Sequence, residues 1–104
     1  MDKVIRNGKV AVLVSPGFGA GWYSWNKDFP QILFHPKLVE IVENGKMDEI
    51  DNDWVQENIG IDIYCGGAED LSIHWLPVGT RFIIEEYDGS ESLQVLDDIN
   101  FLTA

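Results

Sequence analysis

The feature that most restricts the fold of this chain is a segment that combines three alternating glycines with four aromatic residues. The segment is Ser15–Asn26, with sequence SPGFGAGWYSWN, and it directly follows the apolar run Lys9–Val14. Gly17, Gly19 and Gly21 carry no side chain and permit backbone angles that other residues avoid. The pattern therefore predicts a strand that runs directly into a tight loop flanked by aromatic rings.

The order of apolar and turn-forming residues predicts a single α+β domain over residues 1–104. The valine-rich run 9–15 predicts a central, N-terminal strand. Two short helices are expected next, one from Pro36 to a stop at Asn44–Gly45 and one from about Asp48 to Asn58. An antiparallel meander of three to four strands completes the domain as a small sheet or open barrel. Its predicted strands are 61–64, 71–75, 80–87 and 92–96, with turns at 76–79 and 88–89.

Composition and charge restrict the classes of partner. With 104 residues, 45% of them hydrophobic, the chain is expected to form one core without room for a second. Residues 1–47 hold six basic and four acidic residues, whereas residues 48–104 hold one basic residue, Arg81, and fourteen acidic ones. The net charge of −11 therefore resides in the second half, which would repel nucleic acid and anionic membranes. We expect no direct nucleic-acid partner; the acidity either favours solubility or docks the chain on a basic protein.

The cellular setting is predicted from the N-terminus, the hydropathy and the cysteine count. The chain starts Met1-Asp-Lys-Val without a charged-then-apolar leader, and no apolar run approaches the length that spans a bilayer. The single cysteine, Cys65, has no partner for an internal disulfide, as is usual in a reducing compartment. We therefore expect a cytoplasmic protein that does not associate with membranes.

Bare backbone beside flat aromatic faces favours a pocket for a small planar ligand of nucleotide type. Aromatic rings of the loop would stack on the base, and the amides of 17–21 would bind phosphate or carbonyl oxygens. Lys27, Lys9 or Arg81 would neutralise an anion, whereas Asn26 and the acids of a second glycine turn, 66–70, would bind a base edge or a ribose hydroxyl. If the first and third predicted strands are neighbours, both glycine turns border this pocket. The candidate ligand-binding residues are Gly17, Phe18, Gly19, Ala20, Gly21, Trp22, Tyr23, Trp25, Asn26, Lys27, Gly66, Gly67, Glu69, Asp70 and Arg81.

Two other interpretations of the loop compete with the pocket. A nucleotide-fold motif is disfavoured, because neither a phosphate-binding lysine nor a clear helix follows Gly21 and the chain is too short for a doubly wound sheet. Alternatively, the loop packs beneath aromatic residues of the core. The pocket interpretation predicts that alanine at Trp22 or Trp25 weakens ligand binding, whereas the core interpretation predicts that it destabilises the fold.

Catalytic and metal sites are not predicted from the residue patterns. Cys65, His35 and His74 are the candidates for a cysteine–histidine pair, but a single cysteine that ends a strand is usually an inert small hydrophobe. The acidic cluster 48–53 lacks the spacing and the glycine of a calcium loop. We therefore expect a protein that is not an enzyme and that uses no cofactor or metal.

Three stretches together resemble small uncharacterised proteins of phages and prophage-bearing bacteria. They are the loop 17–26 with its GxGAGWxxWN-like pattern, the turn 66–70 and the segment 79–91, GTRFIIEEYDGSE. The resemblance implies no established activity and no catalytic residues. It implies a compact protein of mobile genetic elements in the cytoplasm of a bacterial host. Such proteins often bind host molecules stoichiometrically, as inhibitors of defence enzymes or as sponges for nucleotide immune signals.

The sequence leaves three functional hypotheses. The first is a phage-related, non-enzymatic protein that sequesters a nucleotide-type ligand or immune signal, with pockets at the subunit interfaces of a homo-oligomer because one small chain encloses little volume. The second is an acidic protein–protein inhibitor of a host defence or nucleic-acid enzyme. The third is a structural or assembly factor whose loop aromatics belong to the core. Salt separates the first two, because an acidic docking face weakens steeply with ionic strength.

Overall fold

The computed structural model describes residues 1–17 and 21–96, and within them it has an α+β fold, as predicted. The strands are β1 Ile5–Arg6, β2 Lys9–Val14, β3 Ser72–Pro77, β4 Phe82–Tyr87 and β5 Ser90–Val95. The α-helices are α1 Pro36–Glu43 and α2 Asn52–Asn58, and the short 3₁₀ helices are Tyr23–Trp25, Pro30–Leu33, Met47–Glu49 and Ala68–Asp70. One antiparallel sheet has the order β1-β2-β3, and the other consists of β4 and β5.

β2 is the central strand of the first sheet and is buried on both faces. Ala11 and Leu13 point into the larger core cluster, which includes residues of both helices. Val10, Val12 and Val14 point into a smaller cluster, against which residues of the β4–β5 hairpin pack. Alternate side chains leave opposite faces of a strand, so an uninterrupted apolar run requires cover on both sides. The central position predicted for this run is confirmed.

Two tight hairpins have turns in which both central residues adopt positive φ. Asp88 and Gly89, with φ of 52° and 84°, connect β4 to β5 as predicted. Asn7 and Gly8, with φ of 53° and 75°, connect β1 to β2, a hairpin that the sequence analysis did not identify. Asparagine, aspartate and glycine tolerate this geometry, and the resulting turn matches the twist of antiparallel strands.

α1 begins and ends where the sequence predicts. Pro36 occupies its first turn, and Nδ1 of His35 accepts a hydrogen bond from the Lys37 amide at 3.1 Å. Desolvation, followed by the positive charge of Lys37, lowers the pKa of His35, which favours the neutral imidazole that this cap requires. Gly45, with φ of 70°, follows the helix. His35 therefore has a structural role as a helix cap.

Three predicted elements are corrected by the structure. The helix predicted over 48–58 is divided, because Asp51 has extended backbone angles and caps α2 by accepting a hydrogen bond from the Trp54 amide. The segment 61–64 is not a strand. The backbone N–H and C=O of Tyr64 instead form hydrogen bonds with the Asn26 side chain. The turn predicted at 76–79 is displaced by one residue, because β3 continues through Pro77 and the Thr80 amide donates to the Pro77 carbonyl.

The two tryptophans of the glycine-aromatic loop have different environments. Trp22 has no exposed surface, and its indole N–H donates to the Ile32 carbonyl at 3.1 Å. Trp25 is 54% exposed. Trp22 therefore belongs to the core, and the stacking role predicted for it would require the ring to leave that core.

We expect Trp22→Ala to lower the free energy of unfolding by about 3–5 kcal/mol, because it removes a large buried ring and leaves a cavity. Trp25→Ala, the same change three residues further on, should lower it by less than about 1 kcal/mol, because that ring is mostly exposed. Denaturant unfolding of both variants measures the difference. Equal losses would contradict the division between a core and a surface tryptophan.

Candidate functional site

The glycine-aromatic loop closes around a buried carboxylate, that of Glu91 on β5, which is 2% exposed. One carboxylate oxygen accepts a hydrogen bond from the Ser15 amide at 3.0 Å. The other accepts from the amides of Trp22 and Ser24, at 2.9 and 2.8 Å, and from the Ser24 hydroxyl at 2.7 Å. The Glu91 amide in turn donates to the Ser15 carbonyl at 2.8 Å. These bonds attach both ends of the loop to the second sheet.

The hydrogen bonds to Glu91 use loop amides that a ligand's anionic group was expected to bind. A buried carboxylate is costly unless several donors replace its water, and here two ends of the loop supply four of them. From the sequence, we expected the loop amides to bind the phosphate or carbonyl oxygens of a ligand. At Ser15, Trp22 and Ser24 the amides already bind an oxygen of the protein itself. The described part of the loop is thus a nest whose anion is Glu91.

The second glycine turn packs directly against the first loop. Because β2 and β3 are antiparallel neighbours, the chain leaving β2 and the chain entering β3 lie at the same end of the sheet. The Ser15 hydroxyl donates to the Gly67 carbonyl at 2.7 Å. At Gly17, a Cβ atom would lie 2.1 Å from Oδ2 of Asp70, so the close approach requires glycine or a shift of the Asp70 side chain. The two strands are neighbours, so the condition under which the two turns were expected to lie side by side is met.

Asn26 connects the loop to the segment that precedes the second glycine turn. Its side-chain amide donates to the carbonyls of Trp22 and Tyr64, both at 2.8 Å, and its side-chain oxygen accepts from the Tyr64 amide at 2.8 Å. The side chain thereby satisfies backbone groups of Tyr64 that a neighbouring strand would otherwise satisfy. Asn26 is buried and fully engaged in these contacts. The base-edge role predicted for it is therefore not supported.

Trp25 and Tyr64 form an exposed aromatic pair at the junction of the two turns. Their ring centroids lie 5.7 Å apart with an interplanar angle of 36°, and the residues are 54% and 52% exposed. Each ring lies over a glycine: a Cβ on Gly21 would be 2.5 Å from Cδ1 of Trp25, and one on Gly66 would be 2.6 Å from Cζ of Tyr64. Because Gly21 and Gly66 have no side chain, the rings of Trp25 and Tyr64 can lie directly against their backbone.

A shallow groove of about 410 Å³ lies beside Tyr64 and is bordered by carboxylates. Its lining residues are Ile50, Asp51, Asn52, Asp53, Tyr64, Cys65 and Gly66. The 3₁₀ helices Met47–Glu49 and Ala68–Asp70 pack beside each other and add further acids. We call this region the acidic surface; its exposed members are Asp48, Glu49, Asp51, Asp53, Asp62, Glu69 and Asp70.

Both burial and neighbouring carboxylates act on the Cys65 thiol, which lines the groove. Desolvation by partial burial, followed by the negative charges of Asp51 and Asp62, raises the pKa of its thiol from 9.0 to about 11. At neutral pH the thiol is therefore protonated and a weak nucleophile. The charges that stabilise the protonated thiol would also repel a phosphate group and attract a cation.

The basic residues predicted to neutralise a ligand anion do not meet at the aromatic pair. Lys9 begins β2, whereas the loop follows the other end of that strand. Lys27 lines a separate groove beside β4 together with Tyr23. Arg81 is exposed immediately before β4.

The other candidate residues are divided between the acidic surface and the protein interior. Glu69 and Asp70 are exposed on the acidic surface, and Gly67 is buried where it accepts the Ser15 hydroxyl. Phe18, Gly19 and Ala20 lie outside the described residues.

Glu91 and Tyr64 are residues of the site that were not predicted from the sequence. Glu91 lies on the same face of β5 as Leu93 and Val95, because alternate residues of a strand point to one side. A carboxylate in an otherwise apolar register was therefore an available signal for a buried polar contact. For Tyr64 the alternation of 61–64 indicated an exposed register shared with Asp62, but its contact with Trp25 could not be read from local sequence.

Comparisons with known proteins do not assign the chain to a family. No family model, curated protein or solved structure matches it. Across residues 1–17 and 21–96, no helix is long and apolar enough to cross a membrane, and no three potential metal ligands form a cluster.

We expect Glu91→Gln to lower the free energy of unfolding by about 1–3 kcal/mol, because the new amide group faces N–H donors and leaves buried groups unpaired. The control is Glu85→Gln, an exposed acid on the same hairpin, which should change stability by no more than about 0.5 kcal/mol. Thermal and denaturant unfolding measure both. A Glu91→Gln protein as stable as the control would show that the carboxylate does not hold the loop.

Alkylation of Cys65 tests the potential of the groove. Since the pKa of the thiol is raised to about 11, the rate of alkylation should keep rising with pH well above 9.0. The folded state holds the proton more tightly than the unfolded state, so any stability that the thiol contributes should be lost as pH rises from 9.0 to about 11. Asp51→Asn retains a good helix cap but removes a charge, so it should lower the pKa and accelerate alkylation. Mass spectrometry of iodoacetamide adducts gives the rates. Identical pH profiles for Asp51→Asn, Glu85→Gln and the unsubstituted protein would exclude an effect of Asp51.

Proposed function

We propose that this protein is a non-enzymatic binding protein whose acidic surface and aromatic pair dock onto a basic surface of another protein. The observation that carries the proposal is the exposed, mutually tilted pair of Trp25 and Tyr64 beside a groove bordered by carboxylates. The pKa of Cys65 is raised mainly by burial, and the smaller contributions of Asp51 and Asp62 are consistent with a negative potential there.

The aromatic pair has the properties of an interface anchor. Tryptophan and tyrosine are enriched at the centres of protein interfaces, where they bury a large area at a small entropic cost. Trp25 and Tyr64 already contact each other and the glycine backbone, so docking would immobilise them little further. A guanidinium group stacks on aromatic faces and also forms paired hydrogen bonds with carboxylates. An arginine of the partner would therefore fit between Tyr64 and Asp51 or Asp53.

The charge distribution favours the same type of partner. The chain carries a net charge of −11, and every acidic residue from Asp48 to Asp88 is exposed. Such a surface accelerates association with a basic protein and opposes association with anionic molecules. The resemblance to phage and prophage proteins extends the proposal: the partner would be a host protein, and binding would inhibit it.

The geometry gives less support to sequestration of a nucleotide. Trp22 is buried in the core, and the amides of Ser15, Trp22 and Ser24 bind Glu91. The aromatic faces that remain exposed border an acidic groove, which disfavours a phosphate. Protein docking is therefore the better-supported function.

Affinity capture from a lysate of the host with immobilised variants tests the proposal. The unsubstituted protein and the control Glu40→Gln, an exposed acid on α1, should retain the same basic protein. Trp25→Ala and Asp53→Asn, each verified as folded by denaturant unfolding, should lose it. Raising salt from about 0.05 to 0.5 M shortens the Debye length from about 14 to 4 Å and should release the partner.

Native mass spectrometry of the protein purified from the same cells provides the opposing measurement. If the protein retains a small anionic molecule and the Trp25→Ala variant does not, the function would be ligand sequestration rather than protein docking. A captured protein held equally by Trp25→Ala and Asp53→Asn, or held unchanged at high salt, would also overturn the proposed surface.

A further inference from the structure

The outer edge of β4 presents backbone hydrogen-bonding groups that no strand of the described ranges 1–17 and 21–96 pairs. Within residues 1–17 and 21–96, the strand partner of β4 is β5 alone. The Leu96 amide donates to the Arg81 carbonyl, which determines the alternation of bonds along the antiparallel ladder. The groups directed at β5 are those of Ile83, Glu85 and Tyr87, and the groups directed outward are those of Phe82, Ile84 and Glu86.

A groove of about 440 Å³, lined mainly by apolar residues and by Lys27, lies between β4 and the segment 23–34. Its wall opposite β4 comes from the segment 23–34, and its lining residues are Tyr23, Lys27, Pro30, Leu33, Phe34, Phe82, Ile83 and Ile84. Tyr87, 80% exposed, and Ile83 lie on the outer face of β4. An extended chain added to the edge would direct alternate side chains toward the groove and toward this outer face.

The charges on the hairpin indicate which chain would bind. Glu85, Glu86 and Asp88 are all exposed on β4 or in its turn. A second copy of this protein would bring the same carboxylates to the edge, and like charges on neighbouring strands are destabilising. A segment with lysine or arginine at alternate positions would instead form opposite-charge pairs across the new strand boundary.

We propose that the β4 edge binds an extended basic segment of a partner protein by strand addition. Apolar side chains at alternate positions of the segment enter the groove beside Phe82 and Ile84, and its cationic side chains lie beside Glu85. The inference goes beyond the proposed docking surface, because it concerns the second sheet and depends on backbone hydrogen bonds rather than on the aromatic pair.

Amide hydrogen exchange measured by NMR tests strand addition directly. The probe is a capped heptapeptide of alternating lysine and valine, long enough to cover the six residues of β4 at about 3.4 Å per residue. In the free protein, the amides of Ile83, Glu85 and Tyr87 should be protected by the ladder. Those of Phe82, Ile84 and Glu86 should exchange rapidly and become protected at saturating peptide.

Charge-reversal variants test the choice of partner. Glu85→Lys should weaken binding of the peptide about threefold to tenfold, because it converts a cross-strand attraction into a repulsion. Glu40→Lys makes the same change in net charge on α1 and should leave the affinity unchanged. An alternating glutamate–valine peptide should not bind, and fully N-methylated lysine–valine peptide should lose binding because it cannot donate backbone hydrogen bonds.

Several outcomes would overturn the inference. Equal binding of the acidic or the N-methylated peptide would exclude charge-selective strand addition, as would peptide saturation without new protection at Phe82, Ile84 and Glu86. Protection of these amides in the free protein, together with a dimer in sedimentation analysis, would assign the edge to a second copy. A peptide that perturbs only Tyr64 and Cys65 would refute the edge site but support the proposed docking surface.

Discussion

The Glu91 carboxylate is the contact on which the arrangement of this protein depends. It accepts hydrogen bonds from both ends of the glycine-aromatic loop while its strand belongs to the second sheet, so one side chain joins the two sheets through the loop between them. A buried carboxylate is unfavourable unless its donors are held in place, and the loop supplies them from its backbone. The same interaction therefore holds the loop closed and makes the burial of a charged group tolerable.

That closure assigns different roles to residues that the sequence presents together. With the Trp22 amide bound to Glu91, the Trp22 indole lies inside the core and bonds to the Ile32 carbonyl. The buried Asn26 side chain bonds to the Tyr64 backbone, while the Trp25 ring is exposed and lies at a tilt beside the Tyr64 ring. The exposed aromatic pair thus lies next to the hydrogen bonds of Asn26 and Glu91, which position the backbone of both residues' segments.

The two proposals assign the acidic surface and the β4 edge different modes of recognition for positively charged partners. In the first, the aromatic pair and the carboxylates beside it would bind arginine side chains on a folded surface. In the second, the β4 backbone groups that no strand pairs within residues 1–17 and 21–96 would bind an extended segment. Their shared preference follows from a net charge of −11 that is concentrated in the second half of the chain.

Much of the fold could be predicted because it depends on local patterns: the apolar run of β2, the proline and glycine that bound α1, and the Asp88–Gly89 turn each act through neighbouring residues. The charge asymmetry could also be predicted, as could the proximity of the two glycine turns once their strands were assumed to pair.

The division of the predicted helix 48–58 and the absence of a strand at 61–64 could not be predicted, because the side chains of Asp51 and Asn26 take the place of backbone partners. Only the tertiary structure decided which tryptophan of the loop is buried and which anion the loop binds. Both depend on a hydrogen bond between residues almost seventy positions apart, and no local propensity encodes such a contact.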